Sequence, residues 1–196
     1  MVPALLLMLS VGTVLAGGMS ARYGLSWPRR LYWPRPGGIV LHHSASAGMA
    51  HGRPVDAALI DHWHEERGWG SATVSGAHHI GYHYVILPDG SVQPGRPEWM
   101  LGAHCLGYND HLGICLVGDF SSSSNPDGRI KPSAPTREQL RALDDLLRSL
   151  MHRYGLGPEA IRRHRDLGQT ACPGDRFPFD AVIEGLSGEG RGARGD

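Results

Sequence analysis

Two groups of metal-binding side chains, widely separated along the chain, are useful only if folding brings them together. An early apolar run ends in His42-His43-Ser44, and a late stretch reads His164-Arg165-Asp166-Leu167-Gly168-Gln169-Thr170-Ala171-Cys172-Pro173-Gly174. Two imidazoles and a thiolate in one place would bind Zn²⁺ and leave a fourth position for water, the pattern of a hydrolytic zinc site. Gly38-Ile39-Val40-Leu41-His42 is short, apolar and rich in β-branched residues. It reads as a buried strand that delivers His42 at its C-terminal end. Neighbouring strand residues face opposite sides, so only one of His42 and His43 can reach a metal. Cys172 precedes Pro173-Gly174, a turn stiff enough to hold a thiolate still, although a cysteine taken alone would read as an inert buried thiol.

The intervening chain alternates strand and helix signals. Residues 56–67 place Ala57, Ile60, Trp63 and His64 at spacings of three and four and stop at Gly68, which predicts a helix with His64 packed near Trp69. Residues 81–92 read as a strand, a Pro88-Asp89-Gly90 turn and the start of a second strand. Residues 112–118 form another buried strand. Residues 136–154 give the clearest amphipathic helix: Thr136 caps it, Gln139 completes a capping box, and Leu140, Leu143, Leu147, Leu150 and Met151 make one apolar stripe. Two long helices among strands imply an α/β fold, and the hairpin implies a mixed sheet. With 196 residues there is enough chain for one core, so the expectation is a single domain with a central mixed β-sheet flanked by helices.

The ends read differently from the middle. Residues 2–15 carry no charge and lead into Ala16-Gly17-Gly18, so residues 1–16 are expected to be a signal peptide, or a short membrane anchor if uncleaved. The apolar stretch is shorter than the roughly 20 residues that span a bilayer. Residues 17–37 form a proline-rich arm. Residues 38–185 are the expected catalytic domain, and the glycine-rich residues 186–196 are expected to be a disordered tail. This organisation implies a periplasmic or secreted monomer. With 19 basic and 19 acidic side chains, nothing in the net charge favours a nucleic-acid partner. Cys105 and Cys115 read as free thiols, with a disulfide as the alternative. His78-His79 reads as part of an exposed loop, with a place lining the groove as the alternative, and residues 121–128 as a flexible turn without chemistry.

Six stretches in order carry a resemblance: Val40-Leu41-His42-His43-Ser44-Ala45; Trp63-His64 with Arg67-Gly68-Trp69; Ile80-Gly81-Tyr82-His83-Tyr84-Val85-Ile86 with Asp89-Gly90; Gly102-Ala103-His104 with Gly107-Tyr108-Asn109; Gly113-Ile114-Cys115-Leu116-Val117-Gly118; and His164-Arg165-Asp166 with Ala171-Cys172-Pro173-Gly174. Across residues 38–179 the chain resembles the zinc-dependent N-acetylmuramoyl-L-alanine amidases, which include amidase-type phage lysozymes and peptidoglycan recognition proteins. The resemblance implies an amidase that hydrolyses the bond between N-acetylmuramic acid and L-alanine in peptidoglycan. It implies His42, His164 and Cys172 as zinc ligands and leaves His43 a supporting or packing role. It makes Tyr82 the catalytic tyrosine, a hydrogen-bond donor to the developing oxyanion. Thr170 stands where some phage members carry a catalytic lysine and the recognition-protein branch carries threonine; a hydroxyl can orient water but adds no positive charge. His104 and Asn109 are implied on the substrate side of the groove.

Three other readings compete. A non-catalytic peptidoglycan receptor would use the same groove, but the resemblance implies loss of the metal cysteine there, and Cys172 is present. A cysteine hydrolase with Cys172 as nucleophile and His164 as base would need no metal. A purely structural zinc would call for a fourth protein ligand, and none is evident.

Overall fold

The structure, a computed structural model, describes residues 35–73 and 76–188. The expected signal peptide and nearly all of the expected arm therefore lie outside the described residues. Five strands form the central sheet in the order β7 (Val92–Pro94), β6 (Tyr84–Ile86), β8 (Leu112–Leu116), β1 (Ile39–His43), β9 (Ile161–Arg163). Strands β6, β8, β1 and β9 pair in parallel, and only β7 runs antiparallel, through the hairpin at Pro88-Asp89-Gly90. Two small antiparallel pairs sit apart from this sheet: β2 (Met49–Ala50) with β3 (Arg53–Pro54), and β4 (Ser71–Thr73) with β5 (Gly76–His78). His78 thus closes a short strand instead of lying in an open loop.

Helix α1 (Ala57–Glu66) begins at Asp56, whose carboxylate accepts the Leu59 N–H at 2.8 Å, an N-cap that satisfies one of the orphan donors of the first turn. Helix α2 (Arg137–Tyr154) carries the expected capping box: Thr136 Oγ1 accepts the Gln139 N–H and Gln139 Oε1 accepts the Thr136 N–H, both at 3.0 Å. Gln139 is also fully buried, and its amide donates to the carbonyls of Ile86 and Val117 at 3.0 Å, tying the helix start to the sheet. The last helix, α3 (Phe179–Gly188), overruns the expected domain end at 185. Leu186 is buried in the core, so this part of the expected tail is held by apolar burial; residues 189–196 lie outside the described residues.

The two faces of the sheet bury different things. Ile39, Leu41, Leu112, Ile114, Leu116, Ile86 and Ile161 meet Leu143, Leu147 and Leu150 of α2 and Leu186 of α3 in one apolar cluster. On the other face, Val85, Val117 and Ile80 pack on Val55, Leu59 and Ile60 at α1. The segment expected to be a flexible turn is tied down. Asp119 Oδ1 accepts from the Ser124 hydroxyl at 2.7 Å and the Ser121 N–H at 3.2 Å, while buried Asn125 donates to the carbonyls of Asp119 and Ile130. No helix among the described residues is long and apolar enough to cross a membrane.

Candidate metal centre

Parallel pairing of β1 with β8 and β9 delivers the ends of neighbouring strands to one edge. His42 ends the run of β1 on the α1 side, and the chain leaving β9 turns at once into the short 3-10 helix His164–Asp166. The loop that follows folds back, the Arg165 N–H donating to the Cys172 carbonyl at 2.8 Å, so that the cysteine returns to the strand end. Gly174 makes this return possible. Its φ is +99°, and a Cβ there would lie 2.3 Å from the Phe120 backbone.

The result is a cluster of three donors, His42, His164 and Cys172, whose ligand atoms all lie within 4.8 Å of one another. His42 Nδ1 stands 3.6 Å from Cys172 Sγ, and the His42 and His164 ring centres are 4.7 Å apart. His42 and Cys172 are buried, while His164 is partly open. Burial drives the His42 pKa well down, with His104 and His164 adding to the effect, so its ring is neutral and able to ligate. Burial pushes the Cys172 thiol up to about 12, and only the His43 N–H, donating to the sulfur at 3.4 Å, favours the thiolate. A divalent cation is what would ionise that thiol, since coordination removes its proton outright. Two imidazoles, one thiolate and a partly exposed side form a donor set suited to zinc with an open fourth position.

His43 faces the apolar side, where its Nδ1 accepts the Phe120 N–H at 3.1 Å and its ring packs 5.7 Å from Phe120. Tyr82 is at the centre: its ring lies 5.1 Å from His42, and burial, reinforced by Cys115 and Cys172, pushes its hydroxyl pKa well up. Thr170 is exposed at the rim, its Oγ1 accepting the Cys172 N–H at 3.2 Å. His104 and Asn109 both make hydrogen bonds within the protein. Both ring nitrogens of His104 are engaged, Nδ1 at 3.0 Å from His42 Nε2 and Nε2 at 3.0 Å from the His111 carbonyl, and burial holds its pKa down at about 3. Asn109 Oδ1 is committed to the loop, accepting the N–H groups of His104 at 2.9 Å and Cys105 at 3.0 Å.

Several supports of this site are invisible in the spacing of the sequence. Tyr82 precedes β6 on irregular backbone, and that backbone is held by side chains. His64 Nδ1 accepts the Gly81 N–H at 2.9 Å; Asp61 accepts the His79 and Ile80 N–H groups at 2.9 and 2.7 Å; buried Arg96 donates to the carbonyls of Ile80 and Leu101. His64, expected only to pack near Trp69, does so at 4.6 Å as well. His83 Nδ1 accepts the Gly113 N–H at 2.9 Å. The three cysteines are free and buried, and Cys115, paired in register with His42, is a hydrogen-bond partner of the Tyr82 hydroxyl.

Comparison with known proteins converges on one family. The family model described as N-acetylmuramoyl-L-alanine amidase matches residues 32–175. The endolysin of Enterobacteria phage T3 is 35% identical over 136 residues, spanning 69% of this chain and 78% of its own length. The human N-acetylmuramoyl-L-alanine amidase is 35% identical over 127 residues, 63% of this chain and 19% of the human protein. Among solved structures, the endolysin N-acetylmuramoyl-L-alanine amidase LysCS from Clostridium intestinale superposes with a TM-score of 0.62 at 34% identity, covering 78% of this chain and 84% of that one.

Proposed function

The chain belongs to the N-acetylmuramoyl-L-alanine amidase family, enzymes that hydrolyse the amide between N-acetylmuramic acid and L-alanine in peptidoglycan, and from that premise we propose that it works with one zinc ion held by His42, His164 and Cys172. The observation that carries this reading is the convergence of those three donors, two of them buried, within 4.8 Å. When bound, zinc lowers the pKa of a coordinated water to about 7 and polarises the scissile carbonyl. The side chains around it have separate tasks. Tyr82 keeps its proton, because burial disfavours the phenolate; its hydroxyl rests against the Cys115 thiol, and a tetrahedral oxyanion would compete for that proton. The His43 N–H steadies the thiolate. Thr170 accepts the Cys172 N–H and retains its own hydroxyl proton to donate at the open rim, so it can orient water or substrate without adding charge.

The same reading makes residues 38–188 the catalytic domain and residues 1–16 an export signal, since the substrate polymer lies outside the cytoplasm. All three donors come from one chain, so no second copy is required. The test is digestion of purified peptidoglycan followed by assay of new L-alanine amino termini, with and without chelator. Release that stops on chelation and returns with zinc supports the reading. Chelator-insensitive release would point to Cys172 as a nucleophile, and binding without release would point to a receptor.

A further inference from the structure

With His104 as a neutral imidazole, the hydrogen bonds around it have one consistent set of directions. The His111 carbonyl can only accept, so the 3.0 Å contact places a proton on His104 Nε2. A neutral imidazole then has a bare Nδ1, which can only accept, and its 3.0 Å contact places a proton on His42 Nε2. What remains is the His42 Nδ1 lone pair, the atom 3.6 Å from Cys172 Sγ.

The slot that holds this ring is built for it. A Cβ at Gly102 would fall 2.4 Å from the His104 ring, and one at Gly113, in the middle of buried strand β8, would fall 2.5 Å from it. Glycine in a strand interior loses packing and costs entropy, and here it marks the close approach of a ring. His83 Nδ1 accepts the Gly113 N–H and the Asn109 carbonyl accepts the Gly102 N–H, so both walls of the slot are fixed.

We propose that His104 is a positioning residue that fixes the proton of His42 on Nε2 and the angle of its ring, so that a backbone carbonyl two side chains away selects Nδ1 as the metal-binding atom. The proposal rests on the reading of His42 as a ligand, and it replaces a substrate-side role for His104. Partners of this kind orient metal-bound imidazoles, and their loss costs roughly 10–100-fold in metal affinity.

Two measurements test it. In the metal-free native protein, imidazole ¹⁵N shifts report the His42 tautomer: protonation on Nε2 is expected, and protonation on Nδ1 overturns the proposal. Zinc affinity by chelator competition is then compared for native protein, His104→Leu and His104→Asn, the last keeping an acceptor near the Nδ1 position. A loss of about 10–100-fold in the leucine variant, largely recovered in the asparagine variant, is expected. Unchanged affinity in the leucine variant, or equal loss in both, overturns it. If the leucine variant does not fold, the nitrogen spectrum decides alone. A native protein that takes up no zinc sinks the metal reading, and the same spectrum still decides this one.

Discussion

On one side of β1, Ile39 and Leu41 press against α2 and α3 in an apolar cluster; one residue along, on the other side, His42 meets His104, His164, Tyr82 and Cys172. The first is fully buried, and the second is buried at His42 and Cys172 but partly open at His164. The first is held by area removed from water, which any similar set of aliphatic side chains supplies. The second is held by hydrogen bonds whose directions must all agree, because an unmatched polar group in a buried site costs more than a matched one gains. Truncating an aliphatic side chain on the α2 face should therefore cost mainly stability, and removing a donor from the cluster around His42 mainly activity, so the two should separate under mutation.

The largest separation is expected at Cys172. Cys172→Ala should reduce amidase activity to background and abolish stoichiometric zinc binding, as metal analysis of the dialysed protein would read, while the metal-free protein unfolds near the native midpoint. A large fall in that midpoint would erase the distinction between the faces. Tyr82→Phe should lower kcat by about 10²–10³ with zinc content intact, as its proposed role as a donor to the developing oxyanion requires. Leu147→Ala should do the reverse: roughly 2–5 kcal/mol of stability lost in a denaturant titration, with kcat preserved below the unfolding transition.

Acid should probe the buried histidines that brace the site. His64 and His83 are held neutral by burial, with pKa values lowered to about 4 from an ordinary 6.5. Between those values the unfolded chain binds more protons than the folded one, so stability is full above pH 6.5 and falls as pH drops toward 4. Urea midpoints of the chelated protein across that window should show the decline, and His83→Gln should flatten it. The smallest effect is expected at exposed Thr170: Thr170→Val removes one hydrogen bond of about 1 kcal/mol, and a kcat about five-fold lower would sharpen its assignment as a helper at the rim.

The α2 face was legible in the sequence because periodicity alone records it: the Leu143, Leu147 and Leu150 stripe and the Thr136–Gln139 box appear where the pattern puts them. The donor set was legible only through its resemblance to a known family, since nothing local says that His42 and Cys172 meet. The supports were not legible. His64, Arg96 and Asp61 act on backbone 16 to 19 positions away, and no spacing rule covers a side chain that braces irregular chain. The internal hydrogen bonds of His104 and Asn109 were not legible for the same reason, because a histidine in a glycine-rich loop gives no sign of which way its ring points. Gly113 was the available clue, an unexplained gap in a strand of large apolar residues that turns out to make room for that ring.

The central claim is that one zinc, held by three side chains on the α1 face, carries the hydrolysis. Its most direct test is titration of metal-free protein with zinc while release of L-alanine amino termini from peptidoglycan is followed. Activity should rise linearly and saturate at one equivalent per chain in the native protein and stay at background in Cys172→Ala. Full activity before any zinc is added, or saturation unrelated to one equivalent, would contradict it.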